Sequence, residues 1–366
     1  MMNRIERLVG DLHYFVDPTT PSDIYFDSDT LQRLVESKCD LSITGISMYI
    51  RKHTSKYMPV LLTWDMTSRC NFSCPFCYIR DNTIKEEVCF SEAKTVIDGL
   101  VEKGLFEVYL SGGECLLLDD FLEIYSYFKT MGVFVTVFTN GSLIDDRVMN
   151  CWKQLPPSSV EITLYNDDFA SAPFSNMIKL REMGIYVLPK FTLTQTTLQY
   201  YENVKKWTDS HSLTLNVDSN LFDGVDDLHA NISKRYSISI SQKKEYTPNK
   251  LKSGEEKPRV RTGFSCNSGK GIVQINPDFS ISLCNKMKKR WDLRSIIVDT
   301  ALSELKALIE KYENAPLNGC NGCIYANHCS MCFANAELIN GELFVPSGHC
   351  AKLKEECDQY IELLGE

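Results

Sequence analysis

The chain has no long apolar stretch free of charge, so it offers no candidate for a transmembrane helix. Its opening residues, Met1 to Gly10, lack the apolar core of an export signal. Positive charge is in short supply: 39 Lys and Arg against 48 Asp and Glu leave a net charge of −9. That balance does not suit a general nucleic-acid or anionic-membrane surface. No internal repeat stands out at solenoid periods. What remains is a cytoplasmic globular protein with no nucleic-acid or membrane partner. Its 366 residues are enough for two or three domains with an ample core.

Cysteine, by contrast, is plentiful, with 15 residues. Without an export signal, and with C-x2-C clustering, metal binding is a better reading than a disulfide framework. Most cysteines fall in two groups, at 70–77 and 266–350. Cys39, Cys89, Cys115, Cys151 and Cys357 stand apart and read as buried or idle thiols.

The first group is Cys70-Asn-Phe-Ser-Cys74-Pro-Phe-Cys77, spaced C-x3-C-x2-C. Leu61–Thr67 before it reads as a buried strand, and the loop after the strand can wrap one small metal centre. A structural zinc site takes four ligands, usually as two close pairs. A cubane iron–sulfur cluster has four irons, each wanting a terminal ligand. Three thiolates on one loop therefore leave one iron free. A zinc loop or a chance cysteine-rich turn is the competing reading.

Residues 1–58 read as an extension on the edge of the fold, strand-like at His13–Asp17 and Ser42–Tyr49 and helical at Ser28–Ser37. From 59 to 222 strands and helices alternate. The strands are Leu61–Thr67, Phe106–Ser111, Val133–Thr139, Val160–Tyr165, Tyr186–Leu193 and Leu213–Asp218. The helices between them are Ser91–Lys103, Asp120–Met131, Asp145–Gln154, Ser175–Met183 and Leu198–Ser210. Gly104, Gly132 and Gly184 supply helix stops. Six βα units imply an α/β fold, a parallel sheet with right-handed crossovers and its site at the C-terminal ends of the strands. Residues 223–262 are polar, with Pro248, Gly254 and Pro258, and read as a linker. Residues 263–366 form a small cysteine-rich α+β region. It comprises a hairpin over Ile272–Leu283 around Pro277-Asp278, the run Cys320-x2-Cys323-x5-Cys329-x2-Cys332, then Cys350, and a charged amphipathic helix from Ala351 to Leu364. Taken alone, the four-cysteine run would also suit a zinc ribbon.

The cysteine loop, with Phe76 in an aromatic slot before Cys77, resembles the signature of the radical S-adenosylmethionine (SAM) superfamily. That resemblance covers roughly residues 60–350 and implies a partial (β/α)6 TIM barrel. It implies a 4Fe–4S cluster on Cys70, Cys74 and Cys77 whose free iron chelates SAM. An external one-electron donor, flavodoxin or ferredoxin, would reduce the cluster, and SAM cleavage would give a 5′-deoxyadenosyl radical. Several strand ends match the family's motifs. Gly112-Gly113-Glu114 is similar to the GGE motif, in which Glu114 would hold the SAM ammonium. Thr139-Asn140-Gly141 is similar to T-N-G. Ile162-Thr163-Leu164-Tyr165-Asn166 is close to I-S-L-Y-G, with Thr163 on the ribose. Lys190 matches a basic position that pairs with the SAM carboxylate. Cys115 stands where relatives often have Pro.

Seven C-terminal cysteines in this order resemble the SPASM extension, which holds two auxiliary 4Fe–4S clusters. By order, Cys320, Cys323, Cys329 and Cys350 would hold the outer one, and Cys266, Cys284 and Cys332 the inner one. Two departures stand out: x2 rather than x3 before Cys332, and Phe279 where the hairpin commonly has Gly. The resemblance implies a maturase that oxidatively modifies a peptide or protein, as in crosslinking of a ribosomally made precursor. Three assigned ligands leave the inner cluster a position that could take a substrate thiolate, and so a thioether product. A formylglycine-forming sulfatase maturase is the alternative, but its Asp after the second hairpin cysteine is Asn285 here, and a neutral amide is no base. A small-molecule dehydrogenase and a non-catalytic iron–sulfur electron carrier are further alternatives. Peptide-modifying relatives often carry an N-terminal winged-helix module that grips the leader; residues 1–58 are short for a complete copy.

Overall fold

A computed structural model describes residues 4–77, 79, 87–219, 221, 232–239, 242, 245–246, 268–313 and 334. The expected linker therefore lies largely outside the described residues. So do the terminal helix and Cys266, Cys320, Cys323, Cys329, Cys332 and Cys350.

The expected strands form with small shifts at their ends: β4 (Leu61–Asp65), β5 (Glu107–Ser111), β6 (Phe134–Thr139), β7 (Ser159–Leu164), β8 (Val187–Thr192) and β9 (Asn216–Asp218). They lie side by side in that order, all parallel. Between them run α3 (Phe90–Glu102), α4 (Phe121–Thr130), α5 (Asp146–Gln154), α6 (Ala172–Glu182) and α7 (Tyr201–Ser210). Gly104, Gly132 and Gly184 stop α3, α4 and α6 with φ of +99°, +70° and +78°. One face of each strand is buried on the helix side: Val108 and Leu110, Val135 and Val137, Val160 and Ile162 share one core with Val96, Leu100, Ile124, Phe128 and Met177 of the helices. Alternate residues turn inward. There the sequence changes character, to Thr136, Glu161, Thr163, Lys190, Thr192 and Asp218. Beside these polar side chains the same face carries the paired rings of Tyr109 and Phe138, 5.4 Å apart.

The sheet continues past β4. Strand β10 (Ile272–Ile275) pairs parallel to β4, and β11 (Ser280–Ser282) and β12 (Trp291–Asp292) follow antiparallel, giving nine strands. The expected hairpin is thus an extension of the barrel sheet. Its turn explains Phe279: this residue has φ +59°, the left-handed conformation that glycine takes without penalty. Its ring is buried, stacked 5.9 Å from Trp64, with the Arg294 guanidinium 5.3 Å away on the ring. Packing offsets the backbone cost of roughly 1–2 kcal/mol. Helix α8 (Val298–Glu313) buries Val298, Ala301, Leu305, Ile309 and Tyr312 and packs on α3.

The N-terminal region is a three-stranded antiparallel sheet, β1 (Ile5–Val9), β2 (Leu12–Val16) and β3 (Ile24–Phe26), with α1 (Ser28–Glu36) and α2 (Ile43–His53). The strand expected over 42–49 is instead helix. Ser42 caps it, its Oγ accepting the Gly45 N–H at 3.1 Å, and Ile46 and Ile50 are buried four residues apart. Val9, Tyr14, Leu34 and Ile50 pack on Val60, Phe106 and Phe134, at the N-terminal ends of β4, β5 and β6. Buried Arg7 donates to the Met131 and Leu105 carbonyls, both at 2.6 Å, placing a cation at the C-terminus of α4. This extension braces the end of the barrel opposite the strand C-termini.

Candidate active site

A cavity of about 240 Å³ opens at the C-terminal ends of the parallel strands. One wall is the loop after β4, which brings Cys70, Cys74, Cys77, Phe72 and Phe76 to it. The other walls come from the strand ends: Ser111, Gly112 and Gly113 on β5, Thr139 and Asn140 on β6, Glu161, Thr163 and Tyr165 on β7, Lys190 and Thr192 on β8, and Asp218 on β9. Of the expected cofactor residues, Phe76, Gly112, Gly113, Asn140, Thr163 and Lys190 meet here.

The loop is fastened at both ends. The Arg69 guanidinium donates to Glu87 at 2.8 and 2.5 Å and to the Leu117 carbonyl at 2.9 Å. Asn71 bridges to β6, accepting from the Asn140 amide and donating to Ser142, each at 2.8 Å. The glycine pair explains itself against this loop. A Cβ on Gly113 would sit 2.2 Å from the Arg69 carbonyl oxygen, and one on Gly112 2.5 Å from that of Thr67. The Gly113 and Glu114 N–H groups donate to those same two residues, Gly113 to Thr67 O at 2.7 Å and Glu114 to Arg69 O at 2.8 Å. The close approach expected toward a ligand is therefore first an approach of β5 to the cysteine loop.

Glu114 departs from expectation. Its side chain is fully buried and lies behind the cavity wall. One carboxylate oxygen accepts from the Thr139 hydroxyl at 2.8 Å and the Leu116 N–H at 3.2 Å, and the other from the Asn140 N–H at 2.8 Å. Burial pushes its pKa up, and those donors oppose the rise. In this arrangement Glu114 clamps the end of β6 rather than presenting a carboxylate to an ammonium group.

Lys190 reaches the cavity, but between two carboxylates: Glu161 at 3.2 Å and Asp218 at 3.9 Å. The register accounts for this trio. Lys190 pairs with Thr163 and Asn216, so Glu161 and Asp218 are diagonal neighbours on the same face. Burial raises the Glu161 pKa and the Lys190 charge opposes it. Sequence reading missed Glu161 and Asp218; the available signal was a charge at an inward position of an otherwise apolar strand.

Tyr165, at the end of β7, is central to the cavity wall. Its ring lies 5.9 Å from Phe72 and 6.0 Å from Phe76, on the wall of the cavity that the three thiols share. Burial raises the Cys74 thiol to about 11, with Cys77 and Cys70 adding to the effect. Cys284, at the end of the hairpin, is half-buried. Its neighbour Asn285 hydrogen-bonds Asp65, whose carboxylate also accepts from Gln274 at 3.1 Å and whose pKa burial pushes up to about 6.

A parallel half-barrel with three thiols on the loop after its first strand, all facing one cavity, defines a protein that can hold a thiolate-ligated centre beside an organic ligand. Residues 64–207 match the Radical SAM superfamily model, and the chain carries a radical SAM domain. Fe-coproporphyrin III synthase of Methanosarcina barkeri is 30% identical over 158 residues, 40% of each chain. The sporulation killing factor maturation protein SkfB of Bacillus subtilis is 28% identical over 118 residues, 32% of this chain and 29% of the relative. The chain thus matches about two fifths or less of these curated relatives. Among solved structures, Streptococcus suis SuiB bound to precursor peptide SuiA superposes with a TM-score of 0.56 at 14% identity, covering 90% of this chain and 83% of that one. Native anSMEcpe with bound AdoMet and Kp18Cys peptide gives 0.53 at 13% identity, covering 82% and 96%. At such identities the likeness is one of fold.

The domain implies a 4Fe–4S cluster and SAM. The residues present fit both. Among the described residues no three His, Cys, Asp or Glu side chains close round a single metal ion. The three thiols instead share the wall of a cavity, as ligands to separate corners of a cluster would. No helix among the described residues is long and apolar enough to cross a membrane.

Proposed function

We propose that this chain is a radical SAM maturase that oxidatively modifies a peptide or protein, crosslinking a ribosomally made precursor in the cytoplasm. The observation that carries the reading is the position of Cys284. The hairpin that bears it docks on β4, the strand that leads into the Cys70–Cys77 loop. A second metal centre held by that hairpin would be joined through one sheet to the strand that carries the cysteine loop, and could serve as the acceptor for the electron that an oxidative modification releases. In this reading Cys266, Cys284 and Cys332 hold the inner auxiliary cluster and Cys320, Cys323, Cys329 and Cys350 the outer one. Flavodoxin or ferredoxin supplies the electron for SAM cleavage.

When bound, the cluster and SAM supply a 5′-deoxyadenosyl radical that abstracts hydrogen from the substrate. The chain's own residues do the holding. Cys70, Cys74 and Cys77 ligate the cluster, Phe76 and Tyr165 wall it from water, and Thr163 and Lys190 face SAM. A neutral Asn285 in place of an acid weakens the formylglycine-forming alternative. The inner cluster's three assigned ligands leave room for a substrate thiolate, which favours a thioether product.

The test is coexpression with a cysteine-containing candidate peptide, followed by mass spectrometry. A loss of two hydrogens per crosslink supports the proposal, and an unchanged mass counts against it. Equal modification of a peptide with every Cys replaced by Ser would end the thioether form. Because two relatives are by name a Fe-coproporphyrin III synthase and a heme synthase, a tetrapyrrole is the second substrate class. An unmodified peptide together with turnover of a coproporphyrin would favour it.

A further inference from the structure

Besides the thiols, three ionisable side chains among the described residues line the candidate cavity: Glu161 on β7, Lys190 on β8 and Asp218 on β9. One ammonium serves both carboxylates, with its Nζ 3.2 Å from Glu161 Oε1 and 3.9 Å from Asp218 Oδ2. The two acids are not equivalent. The Glu161 side chain is 9% exposed and that of Asp218 27%. Glu161 also stands between two apolar register partners, Phe138 on β6 and Leu188 on β8. The ionisable groups that face it are Lys190, Asp218 and, from β5, the Tyr109 phenol. Of these, Lys190 alone is a cation. Burial pushes the Glu161 pKa up, and the Lys190 charge opposes the rise.

A SAM carboxylate brought to Lys190 is a third anion on one ammonium. Like charges at this range disfavour a further ionised carboxylate, and the acid that burial already penalises is the one that protonates. We infer that Glu161 holds Lys190 in place before SAM arrives and takes up a proton when SAM binds, passing its share of the ammonium to the SAM carboxylate. This rests on the radical SAM reading, with Lys190 as the partner of that carboxylate. The proton comes from solvent, and no other covalent bond changes. At this residue the SAM complex then binds one more proton than the free chain, so the exchange favours SAM at low pH and opposes it as pH rises. The window runs from the Glu161 pKa of the free chain, above the usual glutamate value, to the higher one of the complex. Glu161 is thus a positioning residue that acts on SAM through Lys190.

The experiment uses the full chain, reconstituted anaerobically with iron and sulfide. Calorimetric titration with SAM in buffers of different ionisation enthalpy counts the protons exchanged, from mildly acidic to mildly alkaline pH. The SAM amine gives up its proton on binding iron in wild type and variant alike, so the readout is the difference between them. Within the window, wild type should take up as much as about one proton more per SAM than Glu161→Gln. Its affinity relative to the variant should fall by up to about tenfold per pH unit there. A residue that only packs would change affinity without changing the proton count. Equal counts at every pH overturn the inference and leave the radical SAM reading standing. If Glu161→Gln fails to take up iron, infrared difference spectra of wild type labelled with 13C at glutamate decide. SAM should bring up a protonated-carboxyl band that shifts with the label, and its absence overturns the inference. A wild-type chain that holds its cluster and binds no SAM overturns both.

Discussion

Gly113 lies against Arg69 so closely that its missing Cβ is part of the fit: a methyl group there would stand 2.2 Å from the Arg69 carbonyl oxygen and 2.8 Å from that of Ser68. Both obstacles are backbone, which cannot rotate aside. Gly113→Ala should therefore push the cysteine loop off the end of β5, at a cost of about 1–3 kcal/mol of strain. Iron bound per chain after reconstitution should fall, and denaturant unfolding should move to lower midpoint. Wild-type iron uptake by this variant would show that the loop is not held by β5.

The proposed cluster set makes a count. Three cubane clusters hold about twelve irons per chain. Replacing Cys70, Cys74 and Cys77 together by Ala should remove about four of them and abolish SAM cleavage to 5′-deoxyadenosine. Iron and sulfide analysis with chromatography of the nucleoside checks both. A wild-type chain holding four irons and tightly bound zinc would refute the two auxiliary clusters.

Much of this arrangement is legible in the sequence, for physical reasons. A strand buried on one face and followed by a helix ending in Gly leaves a strong mark, so the six barrel strands and five helices fall within a few residues of expectation. Residues 43–53 failed because Ile43, Ile46 and Ile50 sit in a short run that reads as strand or helix alike; Ser42 as cap was the better clue. At the site, the residues were legible but some of their reasons were not. Gly112 and Gly113 stand out as residues lacking a side chain, yet only the fold shows that the backbone of 67–69 fills the space. Glu161 and Asp218 become neighbours of Lys190 only once the parallel register is known. Phe279 departs from a glycine pattern, and the stacking on Trp64 that makes this tolerable joins residues far apart in sequence.

Asp65 supplies a pH dependence. Its carboxyl ionises near 3.8 when unfolded and near 6 in the folded chain, because burial outweighs the hydrogen bonds from Asn285 and Gln274. A raised carboxyl pKa means that folding favours the protonated form. The stability it contributes is present below pH 3.8, is lost as pH rises toward 6, and stays lost above it. The loss is up to roughly 3 kcal/mol. Asp65→Asn keeps a carbonyl for Gln274 and has nothing to ionise. Denaturant unfolding at pH 4.5 and pH 7 should show the variant gaining on wild type at the higher pH. An equal gap at both would mean that Asp65 ionises normally in the fold.

Glu114 separates two accounts of the same motif. If its carboxylate holds the SAM ammonium, Glu114→Gln weakens SAM binding and leaves iron content and stability alone. The geometry favours the other account. The Thr139 hydroxyl, the Leu116 and Asn140 N–H groups and, more weakly, the Cys115 thiol already converge on the carboxylate. An amide has one oxygen, so its NH2 must face at least one of these donors. A buried donor left without an acceptor costs about 1–3 kcal/mol. The disturbance falls on Asn140, whose side chain holds Asn71 on the cysteine loop. Glu114→Gln should then unfold at lower denaturant and take up less iron, with SAM affinity falling only in proportion to the cluster lost. Calorimetric SAM binding normalised to iron content, beside an unfolding curve, distinguishes the two. Weakened SAM binding at full iron content and wild-type stability would return Glu114 to the ligand.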